Sequence, residues 1–368
     1  VGVVTKLMDK SPDNDYQQKI REEYAEVRER HKGRQSTKRQ LNIEDARNNA
    51  TEIDWNNVSP VKPSFLGTKT LNDFPLAEIA EFIDWSPFFH TWELIGSYPK
   101  ILDDEIVGEH ARDLLKDAKA MLKQIIDEKW LTARAVIGFF PANSRVDDVV
   151  VYEDETRQTE SVVLHQLRQQ NIKPPGRKNY CLADTVAPEG SSIDDYMGGF
   201  AVTAGIGIEE HIKRFEADHD DYQSIMVKAL ADRLAEAFAE CLHKKVRTEY
   251  WGYAPTETLA NEELIGEKYS GIRPAPGYPA CPDHTEKASL FSLLNATAET
   301  GIELTDSFAM YPTAAVSGWY FAHPEAKYFN VGKLKKDQVE DYAERKGESI
   351  DYVERWLAPS LAYDPDDN

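Results

Sequence analysis

Ile302-Glu-Leu-Thr-Asp-Ser-Phe-Ala-Met310, Ala315-Val-Ser-Gly-Trp-Tyr-Phe321 and Tyr328-Phe-Asn-Val331 are three short strand candidates. They follow one another too closely for the crossover that a parallel pair needs. Earlier strands are predicted at Ala135-Val-Ile-Gly-Phe-Phe140, Val149-Val-Val-Tyr152 and Phe200-Ala-Val-Thr203. Apolar spacing predicts amphipathic helices over His110–Glu128 and Asp220–Glu249, and two more beginning at Lys336 and Ser349. Helices and strands interleave without a regular βαβ period. The expected class is α+β on an antiparallel or mixed sheet.

The chain has 368 residues, of which 41% are hydrophobic and 10% aromatic, so a sizeable core is available. Its formal net charge of −21 argues against tracking nucleic-acid phosphates, which takes a basic footprint. No apolar run approaches a membrane span and no signal peptide opens the chain, so no membrane role is expected. Three cysteines, Cys181, Cys241 and Cys281, lie far apart and suit a reducing cytoplasm. In that compartment the N-x-S/T triplets at Asn49, Asn57 and Asn295 carry no glycosylation meaning.

Residues 1–62 differ from the rest. Val1-Gly-Val-Val-Thr5 reads as the tail of something earlier, so the chain is expected to be part of a longer polypeptide. A charged helical stretch follows, with Ile20, Tyr24 and Val27 on one side, then a basic segment over 28–39. Pro60 and Pro63 mark the entry to a packed region. The expected organisation is an interdomain arm over 1–62, wrapped or flexible, and one domain over 63–368.

No catalytic dyad or triad is apparent. Gly205-Ile-Gly207 faintly resembles a dinucleotide turn, but Glu210 replaces the third glycine and the acids opening the helix would repel an anion. Cys281-Pro-Asp-His284 has a zinc-like spacing without a second pair. Its plainer reading is a loop in which Asp283 or His284 caps the next helix, and no stoichiometric metal is expected. The stretch Arg273-Pro-Ala-Pro-Gly-Tyr-Pro-Ala-Cys-Pro-Asp-His284 holds four prolines and one glycine in twelve residues. Such a stiff loop can be a structural crossover, or can fix polar groups around a ligand, with Arg273 a fork for a carboxylate. At about 100° per residue, Val227, Leu230, Leu234, Phe238 and Cys241 share one face of the long helix. Asp232, Glu236, Glu240 and His243 share the opposite one, either a solvated face or a docking surface beside small alanines.

Several ordered blocks carry a family resemblance. They include Asp84-Trp-Ser-Pro-Phe-Phe89, Gly138-Phe-Phe-Pro-Ala-Asn143, Ile225–Glu240, Arg273-Pro-Ala-Pro-Gly-Tyr278, Ser317-Gly-Trp-Tyr-Phe321 and Lys327-Tyr-Phe329. Together they resemble the C-terminal S-adenosylmethionine-binding, or reactivation, module of cobalamin-dependent methionine synthase. The likeness runs from about Asp84 to Trp356-Leu-Ala-Pro359, with Thr185 standing where an aromatic residue is expected.

The resemblance implies a C-shaped α+β domain with a bent, mainly antiparallel sheet flanked by helices, preceded by a helical linker arm. It implies that S-adenosylmethionine contacts Asp84, Arg273, Ala275, Tyr278, Tyr328 and Phe329. Asp232 and Glu236 would face a docked cobalamin-binding domain of the same polypeptide, away from the donor site. The implied activity is donation of a methyl group to cob(I)alamin, formed when flavodoxin or a related flavoprotein reduces inactive cob(II)alamin. The fragment would be a methyltransferase only with its cobalamin domain. Since cobalt is itself the nucleophile, no general base is needed, which agrees with the absence of a dyad. Two other readings stand beside this one. One is a non-catalytic S-adenosylmethionine sensor or adaptor, the other a self-sufficient doubly wound methyltransferase, which the missing third glycine disfavours.

Overall fold

A computed structural model describes residues 16–35 and 40–365. The opening Val1–Thr5 stretch and the side chains of the basic segment 28–39 lie outside the described residues. Among the described residues eight strands form: β1 Gly67–Leu71, β2 Thr132–Arg145, β3 Asp148–Tyr152, β4 Glu160–His165, β5 Asp195–Ile206, β6 Glu303–Leu304, β7 Met310–Tyr311 and β8 Ala315–Tyr320. The main sheet runs β4-β3-β2-β5-β8, with β1 also on β2, and every pairing is antiparallel. Strand β2 pairs with β1 through Ala135–Phe139 and passes the same edge to β3 from Ala142 onward. The expected α+β class with an antiparallel sheet is observed.

Alternation along the central strands buries both faces. Ile137, Phe139, Phe200 and Tyr320 enter one core, while Val136, Ala201 and Trp319 enter the other. The first core is covered by helices α1 (Gly108–Asp127), α2 (Ile208–Ala217) and α3 (Asp221–Lys245). In α1 the apolar stripe read from sequence, Leu114, Leu115, Ala118, Met121, Leu122, Ile125 and Ile126, is buried except at the half-buried Ile126, and Ala111 joins it. The second core is covered by α4 (Glu286–Leu294), through Leu290, Phe291 and Leu294. Helices α5 (Lys336–Lys346) and α6 (Ile350–Leu357) start where the sequence places them and close a third cluster around Tyr342 and Val353.

Three sequence expectations change. The single strand over 302–310 is a hairpin, β6 and β7, whose turn is closed by Thr305 N–H donating to Ala309 O at 2.8 Å. Tyr328–Val331 is an irregular loop, tied by Val331 N–H to Pro279 O at 2.9 Å. The long helix ends at Lys245 and widens into a π turn over Val246–Tyr250. Strands β1 and β4 were not foreseen: each pairs along one side only and is short and largely unburied, so no buried apolar run marks it.

Residues 40–62 lie against the body. Leu41 N–H donates to Gln170 O at 2.7 Å, and Trp251 Nε1–H donates to Val61 O at 2.7 Å. Arg47 pairs with Asp147 at 2.8 Å and with Asp341 at 2.7 Å. Asp147 is fully buried and also pairs with Arg168, which grips Asp184 through both terminal nitrogens. Among the described residues no helix is long and apolar enough to cross a membrane.

Candidate functional site

The proline-rich loop leaves the edge of the sheet. Ile272 exchanges two hydrogen bonds with Phe321, and Trp319 N–H donates to Pro274 O at 2.8 Å. The loop backbone therefore continues the β8 edge for three residues until Pro274, which has no N–H, ends the ladder. Gly318 makes this close approach possible, since a Cβ there would stand 2.7 Å from Pro274 O. Arg273 is thus carried by the sheet and not by a free loop.

Its side chain turns toward α3. Arg273 Nη2 pairs with Glu240 Oε2 at 2.9 Å, and Nη1 donates to the Tyr269 hydroxyl at 3.2 Å. The Arg273 backbone N–H donates to Tyr328 OH at 3.0 Å, and the two tyrosine hydroxyls are 3.4 Å apart. Burial opposes the guanidinium charge, but Glu240 and the surrounding tyrosines outweigh it and raise the Arg273 pKa. Burial also pushes the Glu240 carboxyl up, opposed by Arg273 and Arg247. Beneath this cluster His243 is fully buried and stacked on Tyr320, and burial, with Arg247 and Arg273 nearby, lowers its pKa.

Two adjoining depressions meet at Arg273. One, of about 380 Å³, is lined by Asp84, Pro87, Arg233, Glu240 and Tyr269 among others. The second, of about 490 Å³, is lined by Phe200, Ala275, Tyr278, Tyr328 and Phe329 among others. Glu236, Glu267 and Arg273 belong to both. All six residues expected to contact the donor thus border one composite groove. Asp84 is fixed by accepting from Ser86 N–H at 2.9 Å, at the turn into the short helix Ser86–Thr91. Tyr278 stands 59% exposed on the rim. A guanidinium with unused N–H donors, a carboxylate across the groove and three aromatic rings suit a zwitterionic ligand with a flat ring system.

The expected acidic stripe is only partly open. Asp232 is exposed and pairs with Arg233 at 2.7 Å, but Glu240 and His243 are buried under the loop. Glu236 stands in the groove wall itself, so it is not set apart from the expected donor site. Partial desolvation there raises its carboxyl pKa against the pull of Arg233 and Arg273. Sequence reasoning missed Tyr269 and Glu267 as groove residues and gave Glu240 no role toward Arg273.

Other candidates resolve differently. Asp283 Oδ1 accepts from Thr285 N–H and Oγ1–H just before α4, and Oδ2 accepts from Tyr342 and Lys346. His284 Nδ1 lies 3.2 Å from Lys287 Nζ. No group of three or more His, Cys, Asp or Glu among the described residues is placed to hold a metal ion. At Gly207 φ is +95° and a Cβ would stand 2.8 Å from Trp130 O, so the glycine is explained by the close turn into α2. Thr185 donates to Leu182 O at 2.9 Å within a short 3-10 turn. A separate depression of about 360 Å³, between residues 57–61 and Trp251 and His323, holds none of the expected site residues.

Over residues 75–347 the chain matches the family model of the vitamin B12 dependent methionine synthase activation domain. It is also similar to a solved structure, that of the MetH reactivation domain bound to AdoHcy. The two share 55% identity over 88% of this chain and 99% of that one, with a TM-score of 0.86.

Proposed function

The chain belongs to the activation-domain family of vitamin B12 dependent methionine synthase, and we propose that it binds S-adenosylmethionine in the groove at Arg273. Arg273 receives the methionyl carboxylate and Asp84 the ammonium or the ribose hydroxyls. The backbone of Ala275 and the rings of Tyr278, Tyr328 and Phe329 cover adenine or face the sulfonium by cation–π attraction. The observation that carries this reading is the convergence of these six residues on one groove, in a chain 55% identical to a domain whose crystal structure holds AdoHcy.

Cob(I)alamin, carried on a cobalamin-binding domain of the same polypeptide, supplies the nucleophile, after flavodoxin or a related flavoprotein has reduced inactive cob(II)alamin. The chain's own task is to hold the donor with its methyl group presented outward. Residues 1–62 are the linker from that preceding domain, and the enzyme works in the cytoplasm. Asp232 and Glu236 meet the docked cobalamin domain and favour the protonated form of the histidine released from cobalt.

Calorimetry of the chain with S-adenosylmethionine tests the first step: saturable heat is expected, and none would sink the reading. Methyl transfer to a supplied cobalamin domain separates it from a sensor that only binds. Asp232→Asn isolates docking, because Asp232 is not among the residues lining the groove. It should leave S-adenosylmethionine affinity within twofold and slow reductive reactivation of the full-length enzyme severalfold. Reactivation at the wild-type rate would remove Asp232 from the interface.

A further inference from the structure

We propose that Glu240 is a positioning residue, holding the Arg273 guanidinium so that its remaining N–H edge receives the donor's carboxylate. This rests on the functional reading above. Glu240 lies one turn after Glu236 on α3 and is 7% exposed. Its Oε2 stands 2.9 Å from Arg273 Nη2 in an ion pair, while its Oε1 is buried with no hydrogen-bond partner. A buried carboxylate with one orphaned oxygen costs stability, and an apolar side chain would suit this helix better. Its presence is explained by what it does to Arg273. Among the described residues Glu240 is the only acid in ion-pair contact with that guanidinium. The neighbouring cation Arg247 pairs with Glu257 through Nε and Nη2, at 2.7 and 2.8 Å, and makes no ion-pair contact with Glu240 among the described residues.

Geometry explains why the arginine needs holding. Of its side-chain nitrogens, Nη2 faces Glu240 in the ion pair and Nη1 donates to Tyr269. Both partners lie on the α3 side, leaving the rest of the fork for the groove. Pro274 and Pro276 offer no backbone N–H to share the task. Without Glu240 the guanidinium would rotate among several rotamers, and the ligand would have to order it on binding.

The test compares two probes differing only in the carboxylate: S-adenosylmethionine and decarboxylated S-adenosylmethionine, titrated calorimetrically into the full chain. Glu240→Ala should weaken the first at least tenfold and leave the second within twofold. Glu240→Gln keeps an acceptor for Nη2 and should weaken the first about threefold to fivefold, again sparing the second. It also serves if the alanine variant folds poorly. In an Arg273→Ala background Glu240→Ala should add no further loss. Equal weakening of both probes, no weakening of either, or additive losses in the double variant would each overturn the assignment. Failure of the functional reading looks different: wild-type protein would then give no heat with either probe, and both proposals would fall.

Discussion

Arg168→Ala is expected to cost about 3–5 kcal/mol of folding stability, because it breaks a buried ion pair and leaves the acid behind. Arg168 is 2% exposed and Asp147 is fully buried. Removing the guanidinium leaves Asp184 without the two N–H donors that grip it and leaves Asp147 with Arg47 as its cation. It also strips Asn179 O of a donor at 2.8 Å. Arg145 supplies the contrast. It pairs with Glu160 and Glu189 at side chains more than 40% exposed, where solvent screening leaves an ion pair about 0–1 kcal/mol. Urea unfolding of Arg168→Ala and Arg145→Ala should separate the two widely. A loss below about 1 kcal/mol at Arg168 would mean that water enters the network.

Arg273→Ala should weaken S-adenosylmethionine binding by about 2–4 kcal/mol, roughly 30-fold to 1000-fold. A partly desolvated carboxylate would lose a charge-assisted fork, and nothing else on the loop could replace it. The structure adds that Glu240 would be left buried without its cation, so some stability is lost as well. Arg273→Lys separates the effects: a lysine can satisfy Glu240 as a point charge but cannot offer the planar fork. Binding is therefore expected to stay at least tenfold weaker in the lysine variant while its unfolding midpoint recovers. Wild-type affinity in either variant would remove Arg273 from the site.

The parts legible in sequence were those where one residue's environment is set by its own element. The runs that became β2, β3 and β5 are buried on both faces, and the α1 stripe repeats with helical period. The 302–310 hairpin was hidden because its strands have two residues each and owe their pairing to the turn between them. The groove was partly legible, since proline density marks a stiff loop and the residues Arg273 and Tyr278 mark what it displays. What could not be read was which helix the loop would cover. Glu240 looked like the continuation of a wet acidic face, and only the return of 269–274 across α3 makes it a buried partner. A faint signal existed in Ala235, Ala237 and Ala239, small residues on which another segment can lie close.

The attachment of the ligand loop to β8 has a second consequence. An outermost strand with bare amides and carbonyls is a template on which another chain can align, and natural sheets blunt such edges. Here Ile272 takes both outer groups of Phe321, Pro274 O takes the Trp319 N–H, and the prolines that follow refuse any further strand. The segment that carries Arg273 is therefore also a guard against self-association. Substitutions that loosen it would expose a sticky margin, so loss of ligand affinity and a tendency to aggregate should travel together among loop variants.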